Sequence, residues 1–518
     1  MAQVNFPFSD LKELIPIEKE EAIESLTMLG FPTEELENGD LTVEVTPNRP
    51  DALCVEGVAR TLRFYKTGKC ASYAVGKASI SAVVDKSVAA VRPEFGGAVV
   101  RGISISDSFL RSLMQIQEKL HETLGRKRRK VAIGMHDLDK VAPPFRYFAC
   151  GKEEVSFVPL DRKGKMTPLE ILLRHEKGMA YAHLVGDMCP MIEDKNGNVL
   201  SFPPIINGEL TRVTPETKNV FIDVTGTSAD AVRQSVNIIA SMLAERGGRI
   251  EEILINGDDY PLLRESKWPL PVKDSQRLLG IPLDKTEVAS LLSKMGYRIE
   301  GDFAYAPGFR ADIINEVDLI EDVAIAYGFN NFEPKLPEFS SIGHQDADSP
   351  YHELLVGLGF DEVMSWTLSN QKVEGKAKIP ASAAVEIENP LTSDFTQFRR
   401  AILPNHLSIL GESKSEKLPI RIYEVGPIAT PEEGDALCIA SMHPKADFSE
   451  IKGVVLSLAE STGKAAEVKK EESETFLKGR CAALYLDGNR VGLFGEIAPD
   501  VLAAFGIEQP VCAAEIEL

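Results

Sequence analysis

The apolar positions of this chain change period several times, and each change marks an element. The segment 10-DLKELIPIEKEEAIESLTMLGF-31 repeats at helical spacing, 41-LTVEVT-46 alternates as a strand does, and 52-ALCVEGVARTLRFYKTG-68 returns to the helical period. Between the last two, 47-PNRPD-51 is turn chemistry, with Asp51 expected as the cap of the helix that follows. Strands are expected at 98-AVVRGISIS-106 and 131-VAIGMHDL-138, on either side of the helical 108-SFLRSLMQIQEKLHETLG-125. Loop and strand follow in 216-ETKNVFIDVTG-226, then a helix in 228-SADAVRQSVNIIASMLAERGG-247. After Trp268 come two short helical patterns, a hairpin turning at Gly301-Asp302 and the acidic helix of 308-GFRADIINEVDLIEDVAIAYGF-329. Residues 331–350 are polar and proline-bearing and read as a linker. From Tyr351 onward, short alternating strands between helical stretches predict an antiparallel sheet with helices on one side.

A chain of 518 residues exceeds what a single core organises. The expected fold class is α+β multidomain. Its parts are a small N-terminal α/β module over 1–84, a central α+β domain over 85–268, a small helical, winged-helix-like unit over 269–338, and a last region over 345–518.

Composition narrows the function classes. The formal net charge of −21 makes the whole surface a poor binder of nucleic acid, so any such contact must be local or supplied by a partner chain. One local candidate is 125-GRKRRK-130, in which Arg126, Lys127, Arg128, Arg129 and Lys130 are consecutive; a solvated basic loop explains the run equally well. The seven cysteines form no CxxC pair and are expected as reduced core thiols. With no apolar run long enough to span a membrane and no basic-then-apolar start, a cytoplasmic protein is expected.

No P-loop, HExxH, GxGxxG or nucleophile elbow is present, and His136, His183 and His406 lack Asp or Ser neighbours at telling spacings, so structural roles are expected for them. Two strings carry candidate chemistry. In 203-PPIINGELTRVTPETKNVFIDVTG-226, Glu209, Thr211, Thr214, Thr217, Asn219 and Asp223 crowd polar groups around a loop that feeds an apolar strand. They suit either a long capped turn or a pocket for a polar small molecule. In the acidic helix, taking about 100° per residue from Asp312 puts Leu319, Ile320, Val323 and Tyr327 on a buried stripe and Asp318, Glu321 and Asp322 opposite it. Asp312 is expected as the N-cap and Glu316 as a partner of Arg310. The face so formed fits solvent, or a hard cation such as Mg²⁺ held by carboxylates and water.

Together these strings resemble one family, the β subunit of phenylalanine–tRNA ligase in its archaeal and eukaryotic form. The resemblance runs in family order through 46-TPNRPDALCVEGVARTL-62, 92-RPEFGGAVVRGI-103, 117-QEKLHETLGRKRRKVAIGMHDLDKVAPPFRY-147, 203–226, 308–332, 355-LVGLGFDEVMSWTLSN-370, 388-ENPLTSDFTQFRRAILPNHL-407, 421-RIYEVG-426 and 493-LFGEIAPDVLAAFGI-507. Cys54 stands where Ser is expected. The resemblance implies a heterotetramer of two α and two β subunits, in which α uses ATP to attach phenylalanine to tRNA(Phe). It also implies that 85–268 is an editing domain that hydrolyses tyrosyl-tRNA(Phe), with Glu209, Thr211, Thr214, Asn219 and Asp223 in its pocket. Glu209 is the expected reader of the phenol, and Asp223 the group that orients a water. The four matching carboxylates Asp312, Asp318, Glu321 and Asp322 are implied as a Mg²⁺ site near α, and Arg126 to Lys130 as a tRNA contact. Residues 345–518 resemble the class II synthetase fold without an ATP clamp, Arg399-Arg400 being the nearest approach to one. The anticodon-binding appendage of bacterial β subunits is expected to be absent. The competing expectations are a free-standing aminoacyl-tRNA deacylase and a non-enzymatic RNA-binding scaffold.

Overall fold

A computed structural model describes residues 2–70, 73–260, 262–336, 343, 350–380 and 383–518. Most of the expected linker, 337–342 and 344–349, lies outside the described residues. The chain forms two compact units that part between Leu336 and Pro337.

The first unit opens with a three-stranded antiparallel sheet in which Asp40–Val45 lies between Ala2–Pro7 and Thr33–Glu35. Its period-two pattern buries Val4, Phe6, Leu41, Val43 and Val45 on one face. The helix Val55–Thr67 is capped by the Cys54 thiol, which accepts from Gly57 N–H, and not by Asp51. Asp51 sits instead in the 3₁₀ turn Pro50–Ala52, fully buried, and accepts from both Arg49 and Arg60. Burial alone would raise its carboxyl, but the two guanidiniums outweigh it and hold the group well below the carboxylate range. Arg60 also donates to Ser241 and lies 3.8 Å over the Phe309 ring, which ties this module to the central helix and to the small domain.

The central sheet has ten strands. Val75–Val84, expected within the N-terminal module, belongs to it, pairing in parallel with Arg249–Ile255 and with Phe145–Gly151. Parallel pairing to a strand so distant in sequence leaves no local signal, which is why the boundary at 84 falls inside the sheet. Toward one edge stand Glu94–Arg101, Asn219–Gly226 and Val131–Asp137, the middle strand Asn219–Gly226 running antiparallel to both neighbours. The helices Asp107–Glu122, capped by Ser106, and Ala229–Glu245 pack their apolar sides against this region.

The small domain has the sheet order Ser266–Pro269, Phe303–Ala306, Arg298–Glu300 with the helices Val272–Leu279, Lys285–Lys294 and Glu316–Tyr327. Its first strand begins at Ser266, two residues before Trp268. One continuous core joins this domain, the N-terminal module and the central sheet.

The second unit is a seven-stranded sheet, antiparallel except where Asp361–Glu362 runs parallel to Ile420–Ala429. Helices cover both of its faces, not one. Along Glu433–Met442, Ala436, Cys438 and Ala440 pack with Leu403–Glu412, while the alternate Leu437 and Ile439 pack with Phe448–Ser461. A strand hydrophobic at every position is the mark of burial on both sides.

Glu515, on Val511–Glu517, accepts from the N–H groups of Ile402 and Leu403 at the start of Leu403–Glu412. Burial outweighs those hydrogen bonds and raises its carboxyl to about 7. A carboxyl raised on folding stabilises the fold below its unfolded value and loses that contribution as pH climbs to the folded value. Denaturant midpoints of the second unit are therefore expected to fall between about pH 4.5 and pH 7. Glu515→Gln is expected to flatten that slope, as denaturation followed across the pH range would show.

Candidate functional site

A cavity of about 220 Å³ lies in the central domain. Its lining includes Leu110, Leu113 and Met114 of the helix Asp107–Glu122, with Gln117, Glu118 and His121 of the same helix, and Ile133 and Met135 of Val131–Asp137. Residues 201–208 line it as well, together with Thr211, Arg212 and Asp223. A volume several times the ~30 Å³ share of a water molecule admits an amino-acid-sized group.

Two of the lining residues, Asp223 and Thr211, belong to a buried chain of three side chains. Asp223 Oδ2 is 2.6 Å from His136 Nε2, and His136 Nδ1 is 2.7 Å from Thr211 Oγ1. All three are at most 1% exposed. Strand register brings them together: Asp223 stands opposite Gly134, and His136 lies two residues along the same face. Gly134 is required there, since a Cβ would come within 1.9 Å of Asp223 Oδ2. Asp223 is therefore mid-strand, held through one oxygen, with its residue lining the cavity. His136 thus bridges the Asp223 carboxylate and the Thr211 hydroxyl, and that hydroxyl also donates to the Gly208 carbonyl at 3.3 Å. His136 was expected to have no catalytic neighbour; its partners lie 75 and 87 residues away.

Ser201, on Val199–Phe202, also lines the cavity, and its buried hydroxyl has no hydrogen-bond partner. A buried hydroxyl beside a cavity is able to hydrogen-bond a water or a polar ligand group there.

The other expected pocket residues lie elsewhere. Glu209, expected to read a substrate hydroxyl, is outside the lining. It binds Arg212 through both carboxylate oxygens and accepts from Asp161 N–H, and the Arg212 bond keeps its carboxyl below the ordinary value. Thr214 N–H donates to Thr217 Oγ1, which donates to Asp137 Oδ2; Asn219 donates to Asp139 and accepts from Gly102 N–H. These groups brace the loop that presents Thr211.

The acidic helix Glu316–Tyr327 differs from the helical-wheel reading in three respects. Its N-cap is Asn315, not Asp312, and Asp318 accepts from the N–H groups of Ile314 and Asn315. Arg310 pairs with Asp312 and Asp322, not with Glu316. Asp322 is buried, accepting from Arg310 at 2.8 Å and from the Tyr297 hydroxyl at 2.8 Å, because the body of the small domain packs on that side of the helix as well. Glu321 alone of the four is exposed; partial burial, then Asp322, Asp318 and Asp312, raise its carboxyl. Arg310 is the cation paired directly with these acids, and Arg49 also favours the charged form of Asp322. Among the described residues no group of three or more His, Cys, Asp or Glu is disposed to hold a metal ion.

In the second unit the expected near-clamp points inward. Arg399 binds Glu424 at 2.6 Å and Ser365, and Arg400 binds Glu374; both guanidiniums are buried. Gly426 leaves the room Arg399 needs. Neither arginine is free to meet a nucleotide phosphate.

Comparisons with known proteins agree along the chain. Residues 93–254 match the family model for the B3/4 domain, 269–329 the tRNA synthetase B5 domain, and 340–518 the phenylalanyl tRNA synthetase beta chain CLM domain. The fold and these domains define a subunit of an aminoacyl-tRNA synthetase. The phenylalanine–tRNA ligase beta subunit of Methanothrix thermoacetophila is 40% identical over 541 residues, covering 100% of both chains. That of Archaeoglobus fulgidus is 41% identical over 542 residues, covering 100% of this chain and 98% of its own. A crystal structure of an N-terminal fragment of the phenylalanyl-tRNA synthetase beta subunit from Pyrococcus horikoshii superposes with a TM-score of 0.59 at 37% identity, covering 63% of this chain and 99% of that one. The chain belongs to the phenylalanine–tRNA ligase beta subunit family.

Proposed function

We propose that this chain edits mischarged tRNA at the central cavity and supports, without performing, the attachment of phenylalanine to tRNA(Phe) by an α subunit. The observation that carries the editing half is the cavity itself, lined by Asp223, whose carboxylate is held by His136, and by Ser201, whose hydroxyl is unpaired. A synthetic site shaped for an apolar ring rejects an added hydroxyl poorly, whereas a second site that hydrogen-bonds the hydroxyl selects it. Ser201 replaces Glu209 as the reader of the phenol. Asp223, through its second oxygen, orients water toward the ester, and His136 and Thr211 hold the carboxylate in place.

The supporting half rests on the second unit. Its arginines are locked in buried pairs, and it exposes large apolar side chains at Met364, Trp366, Leu391, Phe395 and Phe398. Such a surface suits a partner chain. The assembly is a cytoplasmic tetramer of two α and two β chains, with ATP used by α. Among the described residues no helix is long and apolar enough to cross a membrane. Purified with α, the chain is expected to support phenylalanylation; without α it is expected to show none. Phenylalanylation by the chain alone would overturn this reading.

The acidic helix suits Mg²⁺ in donor chemistry, through hard oxygen ligands and excess negative charge at Glu321. Glu321 and Asp318 would hold the ion with water, while Asp312 and Asp322 stay bound to Arg310. Calorimetric titration of the α–β complex with Mg²⁺ is expected to lose one binding event in Glu321→Gln with Asp318→Asn. An unchanged isotherm would leave the acids as a solvated face.

A further inference from the structure

The basic run next to the cavity has an unusual backbone. Arg126, Lys127 and Arg128 all have positive φ, at 48°, 55° and 65°. L-residues with a Cβ avoid this region, and three in succession persist only where the surroundings over-determine them. Gly125, which admits no Cβ because the carbonyls of His121 and Val131 stand 2.6 and 2.7 Å from where it would lie, starts the turn.

Two buried arginines hold the turn in place. Arg128 points inward: it donates to the carbonyls of Pro204 and Ile205 and to Glu118, and its guanidinium lies 4.5 Å over the Tyr181 ring. Arg92, also buried, donates to the carbonyls of Arg128 and Arg129 and is itself held by Thr225. The inward turn of Arg128 removes it from the expected contact run and leaves Arg126, Lys127 and Arg129 exposed on a fixed frame. Arg128 and Glu118 also line the cavity, so the three exposed cations stand beside its wall. A chain of net charge −21 that places three cations on a strained, doubly anchored turn beside a ligand cavity has concentrated its local attraction for anions there.

We propose that the turn 125–130 is a rigid phosphate clamp for the backbone of the tRNA whose aminoacylated end enters the cavity. Arg126, Lys127 and Arg129 contact phosphates, and Arg128 and Arg92, whose guanidiniums are taken up by protein carbonyls, Glu118 and Thr225, act as positioning residues that hold the turn. The proposal rests on the editing reading for its choice of RNA. Rigidity is what separates it from a solvated basic loop, because anchored cations lose little freedom on binding.

The test uses the α–β complex and tRNA(Phe), with affinity measured against potassium chloride concentration. Replacing Arg126, Lys127 and Arg129 together by Gln is expected to lower the slope of log affinity on log salt by about 2 to 3, from a release of roughly 0.7–0.9 counterion per phosphate contact. An unchanged slope would overturn the clamp. Arg128→Gln removes no exposed charge, yet is expected to lower the slope as well, by letting the turn relax; if it leaves the slope at the parent value, the positioning role is overturned. Thermal melting of each variant checks that the fold is kept. Parent complex that binds tRNA with this slope yet releases no tyrosine from tyrosyl-tRNA(Phe) would sink the editing reading while leaving the clamp supported.

Discussion

Asp223→Asn is expected to slow the release of tyrosine from tyrosyl-tRNA(Phe) by about 10²- to 10³-fold, within the range general-base catalysis supplies, while attachment of phenylalanine by the α–β complex continues. The substitution keeps size and can still accept from His136 Nε2–H, so the buried chain to Thr211 survives and only the charge that orients water is lost. Gly134→Ala is expected to give a similar loss by a different route: its methyl group would occupy the space of Asp223 Oδ2 and swing the carboxylate away. Deacylation by both variants within about twofold of the parent would remove Asp223 from the chemistry.

The second large effect concerns stability. Arg310→Met is expected to destabilise the first unit by about 3 to 5 kcal/mol, because it removes the direct ion-pair partner of buried Asp322 and half-buried Asp312 and leaves Asp322 only the attraction of Arg49. The Tyr297 hydroxyl alone cannot offset the loss. Adding Asp322→Asn to Arg310→Met is expected to recover part of it, since the orphaned charge is then gone. Chemical denaturation of the single and double variants measures the coupling. A loss below about 1 kcal/mol for Arg310→Met would show that water reaches the pair and that the helix is looser than described.

How far the sequence carried the fold and the site depends on how local the cause is. Helices and strands with a clean period, such as Asp107–Glu122 or Asp40–Val45, were legible because their buried faces repeat within the segment. The long family strings made the synthetase class legible as well. What was not legible is set by pairing at a distance. Val75–Val84 joins the central sheet through strands more than sixty residues away. His136 and Asp223 meet only through the register of Val131–Asp137 against Asn219–Gly226. Asp322 sat opposite the apolar stripe on the wheel, yet Tyr297 and Arg310 close over it, since a helix in a small domain can be buried on more than one side. Arg128 turned inward because three positive φ values reverse the chain there, and no composition rule signals that conformation for Arg-Lys-Arg. Ser201 carried no signal at all: an unpaired hydroxyl can be recognised only once the cavity beside it is known.

The central claim is that this subunit carries a hydrolytic site that recognises an added hydroxyl. Its most direct measurement is the rate at which the α–β complex, supplied with neither ATP nor amino acid, releases tyrosine from tyrosyl-tRNA(Phe) compared with phenylalanine from phenylalanyl-tRNA(Phe). Tyrosine is expected to be released at least tenfold faster, with Ser201→Ala narrowing the ratio and Asp223→Asn removing the reaction. Equal, slow release of both amino acids by the parent complex, unchanged in either variant, would contradict it.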